Sequence, residues 1–557
     1  MTLRCHRFIA FGFLLALGLP AFCADAAPRA AVSKKPVNDS GRFTLGLLAY
    51  PHLTEQADRL PPKRSWITRN LKGVPQVIET LNAQRPALVA VTGNLTWFGD
   101  GADHATAKRL LGALKPPVLY AAGTADAGED GSGAAEFEKA FGRPMWYSHD
   151  HAGARLVVAG APPKDKTDAF LDWLEADLAK AADAEQVVVL ASWSALAVRD
   201  DEAAKRLAAL LKKNKVTAWL GGSRYGPRVA RLDGVPVVTP PAAGWSGGLS
   251  HMLIDVQPAG LKLNLCARGT DLRHTLFLPN PRRGKVGAPD GPRYLAAYRE
   301  AAAARPLVTF VQISDSQIDD GTVKASARRY RYAPEDNARA FKQINALDPA
   351  PAFVVSTGDL TNKSTTAEWK TYTDLIATLK PKVYNLPGNH DLDRGTDGGT
   401  VGTLAAYERR TGDKPRHAWE AGGVAFIGLN TATTELDADQ LAWLKKELDA
   451  SRARPAVFVF GHHPLDERAG GTVTTGREEA IRLLDEANVT AYLCGHRHRW
   501  AFSRLNGFLH YICNDLAWHS DIGFLVCHVW ADRVLLRYKP VDEDVFWNLE
   551  WPNPRSD

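Results

Sequence analysis

Five short clusters in the C-terminal half carry residue types that suit divalent metals. In order they are Ser314-Asp315-Ser316-Gln317, Gly358-Asp359, Gly388-Asn389-His390-Asp391, Gly461-His462-His463-Pro464 and Gly495-His496-Arg497-His498. A lone Gly-Asp is a turn, and a lone His-x-His is a common surface or core feature. Five clusters in series, each directly after an apolar run, point to one shared site. The chemistry such donors suit is phosphate-ester hydrolysis. Phosphate esters are anionic and repel hydroxide. Two divalent ions a few ångströms apart neutralise the phosphate, generate a hydroxide near neutral pH and hold the attack in line. Ions that close repel one another, so a shared carboxylate is needed between them. Imidazoles, amides and carboxylates complete each shell.

The elements that must position these clusters are legible from hydrophobic pattern. The runs 307–313, 352–355, 383–386, 456–460 and 489–493 read as buried strands. Between several of them lie helical stretches at 335–347, 367–379, 437–451 and 478–487. Leu441, Leu444 and Leu448 fall on one face of the third. Strands alternating with helices argue an α/β layered fold. In such sheets, sites gather beyond the carboxyl ends of strands.

The order D-x-[H/Q], G-D, G-N-H-D, G-H-H-P, G-H-x-H resembles the calcineurin-like metallophosphoesterase superfamily, which includes purple acid phosphatases and class III cyclic nucleotide phosphodiesterases. The resemblance implies a four-layer α/β/β/α sandwich and two divalent metal ions, drawn from Mn, Fe, Zn or Mg. Carried over by position, it makes Asp359 the bridge between both ions. Asp315, Gln317 and His498 complete the first site, and Asn389, His462 and His496 the second. His390 approaches the leaving-group oxygen, stabilising charge or donating a proton. The family uses the first His of a His-His pair, which leaves His463 a structural part. Gln317 departs from the family, where most members have His. An amide oxygen is a harder, weaker ligand than imidazole, which favours manganese, magnesium or calcium over zinc there. Gln317 either ligates directly or hydrogen-bonds a water bound to the metal.

The first half repeats the second without its ligands. At a spacing of 265 residues, Ala49-Tyr50-Pro51-His52 falls on Ser314 to Gln317, Thr92-Gly93-Asn94 on Thr357-Gly358-Asp359, and Gly123-Thr124-Ala125-Asp126 on Gly388 to Asp391. With a small insertion, Ala191-Ser192-Trp193-Ser194 falls on Gly461 to Pro464, and Gly222-Ser223-Arg224-Tyr225 on Gly495 to His498. Of the ligand positions only His52 keeps a good metal donor, and one His cannot hold a dinuclear cluster. Two roles are open for this half: covering its partner structurally, or recognition through Trp97, Trp146, Trp193, Trp219 and Trp245.

The fold class expected is α/β, as two tandem four-layer α/β/β/α metallophosphoesterase-like sandwiches. The expected layout is a signal peptide over 1–26, a flexible lead-in over 27–41, a degenerate non-catalytic domain over 42–275, a linker over 276–304, the catalytic domain over 305–545 and a C-terminal tail over 546–557. Arg4 and Arg7, the apolar run 8–19 and Ala24-Asp25-Ala26 make the signal reading, and with it a secreted or periplasmic location. No other segment approaches the length of a membrane span. A net charge of +6 spread along 557 residues does not argue for nucleic acid. Cys266, Cys494, Cys513 and Cys527 lack CxxC spacing and sit among apolar neighbours, which reads as buried free thiols. The expected partners are a small phosphate ester or a phosphorylated macromolecule, with contact between the two related halves. The rival expectation is a non-catalytic metal- or phosphate-binding recognition protein of the cell envelope. The second copy's His390, which a pure binding site does not need, argues against it.

Overall fold

The computed structural model describes residues 43–556, apart from stretches at 61–66, 68–69, 129–132, 164–165, 199, 223–226, 244–248, 268–271, 284–291, 320–332, 393–402 and 518–521. The signal and lead-in read from the sequence lie outside the described residues, as do Ser223, Tyr225 and Trp245.

Each half supplies twelve strands. The first has β1 (Phe43–Ala49), β2 (Leu88–Gly93), β3 (Val118–Ala122), β4 (Trp146–His151), β5 (Ala154–Ala159), β6 (Gln186–Ala191), β7 (Ala218–Gly221), β8 (Arg228–Leu232), β9 (Val235–Thr239), β10 (Leu249–Gln257), β11 (Gly260–Ala267) and β12 (Arg273–Pro279). The second has β13 (Val308–Ile313), β14 (Phe353–Thr357), β15 (Lys382–Leu386), β16 (His417–Ala421), β17 (Val424–Gly428), β18 (Val457–Phe460), β19 (Ala491–Cys494), β20 (Ala501–Leu505), β21 (Phe508–Ile512), β22 (Gly523–Val529), β23 (Arg533–Pro540) and β24 (Trp547–Pro552).

One six-stranded sheet runs β4-β5-β6-β7-β9-β8 and its counterpart runs β16-β17-β18-β19-β21-β20. The remaining strands form one continuous twelve-stranded sheet, β15-β14-β13-β22-β23-β24-β12-β11-β10-β1-β2-β3. Strand for strand, the two halves have the same order. The halves therefore do not stand as separate sandwiches. They fuse edge to edge where β12 meets β24 antiparallel, with Thr275 opposite Asn548. The Thr275 hydroxyl donates to Asn548 O at 3.3 Å. Pairing these two edges removes what would otherwise be two exposed templates for aggregation.

The layers follow from which faces are apolar. Phe310, Phe353 and Val355 of the large sheet pack against Phe426, Phe458 and Phe460 of the small one. On the small sheet's outer face Val457 and Val459 meet Leu444, Leu448, Leu483 and Leu484 from helices Ala438–Ala450 and Arg477–Glu486. On the large sheet's outer face Val311 and Ile313 meet Phe341 and Ile344 of helix Ala333–Asn345. That is the expected α/β/β/α order. Helix starts are set locally: Thr365 and Glu368 form a capping box on helix Thr366–Ile376, and Asp437 accepts from Gln440 N to open Ala438–Ala450. Cys266, Cys494, Cys513 and Cys527 are buried free thiols.

Two stretches outside the expected domains contribute elements to the fold. Residues 546–557, expected as a tail, contain β24, whose Trp547, Leu549 and Trp551 alternate inward. Residues 276–304, expected as a linker, contain the end of β12 and helix Arg293–Ala303. After β12 and β24 the chain reads Pro-Asn-Pro-Arg in both halves, at 279–282 and 552–555. Asn280 donates to Glu185 O and Pro258 O, and Asn553 to Pro455 O and Ala531 O. Arg282 donates to Ala181 O, Ala184 O and Asn214 O; Arg555 donates to Ser451 O, Arg452 O, Arg454 O and Ala487 O. Each guanidinium thus donates to carbonyls just beyond two helix C-termini, where the helix itself supplies few donors. The Pro content of these segments suggested linker and tail; the repeated Arg clamp is what the local composition did not reveal.

Candidate metal centre

Asp315 and Asp359 lie just beyond the carboxyl ends of β13 and β14. Both hold a left-handed backbone (φ 51° and 52°), as do Gln317 (44°), His496 (68°) and His498 (49°). Such conformations cost roughly 1–3 kcal/mol each for non-glycine residues and gather at functional sites. Here the surrounding hydrogen bonds hold them. Asp315 N donates to Gly358 O and Gln317 N to Asp359 O, tying the first two loops together. Asp391 ties the third: its carboxylate accepts from Leu360 N, Thr361 N and Gly388 N at 2.8–3.2 Å. Two glycines let these loops touch. A Cβ on Gly388 would lie 2.2 Å from Asp359 Oδ1, and one on Gly495 would lie 2.3 Å from Asp315 Oδ2.

All the predicted residues are brought together. Asp359 sits at the middle. Its Oδ1 accepts from His390 N at 2.9 Å, and its Oδ2 accepts from Gln317 Nε2 at 2.9 Å and lies 3.2 Å from His462 Nε2. His462 Nε2 is also 3.2 Å from Asn389 Oδ1 and 3.3 Å from His496 Nδ1. On the other side, His498 Nε2 is 3.4 Å from Asp315 Oδ1. Asp315, Asp359 and His498 offer donor atoms all within 4.8 Å of one another, and so do His462, His463 and His496. His463 lies tilted against His496, with ring centroids 4.1 Å apart, and its Nδ1 is buried without a hydrogen bond.

Tautomers follow from the acceptors. His462 Nδ1 faces Thr357 O at 2.9 Å, and a carbonyl only accepts, so Nδ1 carries the proton and Nε2 presents its lone pair inward. His390 Nδ1 likewise donates to Asn362 O at 2.6 Å, so any proton it exchanges with a substrate passes through Nε2. His498 Nδ1 faces the buried Asp515 carboxylate at 3.1 Å. Asp515 escaped the sequence reading. It follows β21 in Cys513-Asn514-Asp515, a strand-end acid like the others but without a recognisable motif around it.

The donor set fits cations. Around His462 Nε2 converge a carboxylate oxygen, an amide oxygen and a second imidazole nitrogen, electron pairs that repel unless positive charge lies among them. Burial opposes charge on His462 and His498. Asp359 and Asp315 nevertheless raise His462 to about 9, and Asp315 and Asp515 raise His498 to about 9. Gln317 Oε1 is fully buried and accepts no hydrogen bond, an acceptor that a cation would satisfy.

The matching place in the first half keeps the scaffold and has lost the donors. Tyr50 (φ 50°) and His52 (φ 47°) repeat the left-handed turns of Asp315 and Gln317. Asp126 accepts from Leu95 N, Thr96 N and Gly123 N, as Asp391 does in its half. Asn94 Oδ1 accepts from Ala125 N at 3.2 Å, as Asp359 accepts from His390 N. A Cβ on Gly93 would meet the Tyr50 ring, whereas one on the matching Gly358 would meet His462. The Tyr50 hydroxyl donates to the carbonyl of Ser192, the residue that aligns with His462. An aromatic ring thus fills the space of a metal-facing imidazole. Three of the five tryptophans set aside as recognition candidates belong to the core: Trp219 is fully buried, and Trp146 and Trp193 pack on Phe170. Trp97 lies against His52. Position near a strand end does not separate core from surface, and packing places these three in the core.

Residues 308–500 match the calcineurin-like phosphoesterase family. The chain is 26% identical over 266 residues to the serine/threonine-protein phosphatase CPPED1 of Mus musculus, covering 42% of this chain and 84% of the relative. It is 27% identical over 255 residues to a probable glycerophosphodiester phosphodiesterase, GpdQ, of Arcobacter nitrofigilis, covering 40% of this chain and 89% of the relative. Among solved structures it is similar to a dimetal phosphatase from Danio rerio, with 16% identity, a TM-score of 0.38, and coverage of 44% of this chain and 99% of that one. The segment that carries the five ligand clusters is therefore a calcineurin-like phosphoesterase domain, of a family of hydrolases that act on phosphoric ester bonds.

Proposed function

We infer that the chain is an exported phosphoesterase that hydrolyses phosphomonoesters or phosphodiesters at a dinuclear centre in its second half. The observation that supports this most is the placement of Asp359, whose carboxylate touches both donor groups at once. In this reading Asp315, Gln317, Asp359 and His498 hold one cation, and Asp359, Asn389, His462 and His496 the other. Bound divalent cations, of manganese, iron, zinc or magnesium, would neutralise phosphate charge and lower the proton affinity of water. The protein's own groups do the rest. Asp359 separates the two donor sets. Asp515 and Thr357 O fix the tautomers of His498 and His462. Asn362 O and the Asp359 carboxylate hold His390 by ring and backbone, so that Nε2 can protonate the departing oxygen. The free Oε1 of Gln317 favours direct ligation. Relatives named as a protein phosphatase, a glycerophosphodiester phosphodiesterase and a 3',5'-cyclic-nucleotide phosphodiesterase are consistent with either ester class. Arg4, Arg7 and the apolar run after them support export.

The ligand positions of the first half end β1 and β2, and β1 lies seven strands from β13 in the shared sheet. At ~4.8 Å per strand that is roughly 34 Å. We take this half as a non-catalytic copy whose contribution is the joint sheet and core.

The test is turnover of an aryl phosphate and its bis-aryl diester by metal-loaded protein. His390→Ala should slow the better substrate by about 10²–10⁴-fold, and Asp359→Asn at least as much, both with an unchanged melting temperature. Turnover like wild type in both variants would end the proposal, as would failure of the wild type to take up metal.

A further inference from the structure

Arg497 and Arg499 stand on either side of His498 in Gly495-His496-Arg497-His498-Arg499. Both side chains are partly buried, and the Nε of each is fully shielded without a hydrogen-bond partner. Among the described residues neither makes an ion pair. Other arginines of this half have a counterpart: Arg468 pairs with Asp466, Arg477 with Glu467, Arg482 with Glu479 and Glu486, and Arg533 with Asp532, while Arg504 lies over the Trp551 ring and Arg537 over Phe546. Leaving two partly buried arginines, two residues apart in the chain, without a carboxylate partner is costly unless an anion joins them. Their place says which anion. A Cβ on Gly471 would sit 2.7 Å from His496 Nε2 and 3.0 Å from Arg497 Nη1, so the Gly470–Gly471 turn lies against a metal-facing histidine and this guanidinium together. Arg497 thus borders the candidate metal centre, Arg499 follows two residues on, and among the described residues neither pairs with the centre's carboxylates. Guanidinium forks match phosphate oxygens with two parallel hydrogen bonds.

We propose that Arg497 and Arg499 form a second anion site beside the metal centre, which selects phosphate esters carrying another phosphate on the alcohol part. The proposal rests on the phosphoesterase reading and adds a substrate class to it: bisphosphorylated esters over monophosphorylated ones. The scissile phosphate belongs at the Asp359 centre and the second phosphate at the arginines. No bond is made or broken there.

Two measurements on the full chain test it. The first is calorimetric titration of metal-free protein with inorganic pyrophosphate, for wild type, Arg497→Gln, Arg499→Gln and the double variant. The second is the ratio of kcat/KM for a sugar bisphosphate to that for the matching monophosphate, with metal loaded. Binding by the wild type that weakens tenfold or more in the double variant, together with a ratio that falls by at least tenfold mainly through KM, is the expected result. Arg→Lys at both positions should restore part of the ratio. Equal pyrophosphate binding by wild type and double variant, or no binding by either, overturns the proposal, and so does an unchanged ratio in an active enzyme. If no ester is turned over by the wild type while the arginine-dependent binding persists, the phosphoesterase reading fails and the anion site stands.

Discussion

Replacing Asp515 with Asn changes one oxygen for a nitrogen at a fully buried position and leaves the volume nearly untouched. The carboxylate lies 3.1 Å from His498 Nδ1, and the other ring nitrogen lies 3.4 Å from Asp315 Oδ1, within the candidate metal centre. In the native protein Asp515 can only accept, so it holds the proton on Nδ1 and the lone pair on Nε2. An Asn side chain can keep its oxygen toward Nδ1, in which case a charge-assisted hydrogen bond becomes a neutral one. The net values of the two kinds are about 1.5–3 and about 0.5–1.5 kcal/mol, so the loss is about 1–2 kcal/mol. Each 1.4 kcal/mol is a factor of ten, which makes this about five- to thirtyfold in metal affinity. Observed losses for the outer partners of metal-bound histidines, about 10–100-fold, overlap that range. If the amide instead turns its NH2 toward Nδ1, the tautomer reverses, Nε2 loses its lone pair and the loss is larger. The assay is competitive metal titration of the purified chain against a chromophoric chelator, with melting temperature as the control for folding. A weaker-bound metal by about tenfold in Asp515→Asn, at native melting temperature, is expected. An affinity within twofold of wild type would refute the idea that this carboxylate orients His498 toward a cation.

Two further predictions concern stability. Arg555→Ala removes the donor to carbonyls at two helix ends and should cost about 2–3 kcal/mol, with Arg282→Ala costing a similar amount in its own half. The sites are remote, so the double variant should show the sum; chemical denaturation reads it, and losses under about 0.5 kcal/mol would reject the clamp. His274 is fully buried among Trp500, Phe502 and Tyr511, and burial lowers it to about 3 against about 6.5 in an unfolded chain. A group depressed in the folded state favours folding above pH 6.5 and loses that advantage as pH falls from there toward 3. His274→Phe cannot take up the proton, so its stability relative to wild type should rise by about 2 kcal/mol between pH 7 and pH 5. A difference that does not change with pH would show that His274 is not held neutral by the core.

The sequence by itself determined the candidate donor residues, their order and the doubling of the fold. These are local properties: each ligand sits at the end of an apolar run, and a run with its turn is legible within ten residues. The same locality explains why Gly123-Thr124-Ala125-Asp126 could be matched to Gly388-Asn389-His390-Asp391 and why its scaffold Asp survives where its ligands do not. Tertiary structure decided what depends on residues far apart in the chain. Trp547–Pro552, paired on one side with the nearby β23, joins the two halves because β12, some 270 residues earlier, meets its other side. Tyr50 takes the space that His462 holds in the second half because its hydroxyl reaches the Ser192 carbonyl. Asp515 matters only because β21 delivers it to His498, and Arg497 and Arg499 stand out only once packing shows that neither pairs with a carboxylate among the described residues. Strand formation and ligand chemistry are written in short segments, whereas pairing, shielding and the want of a counter-charge are properties of the packed whole.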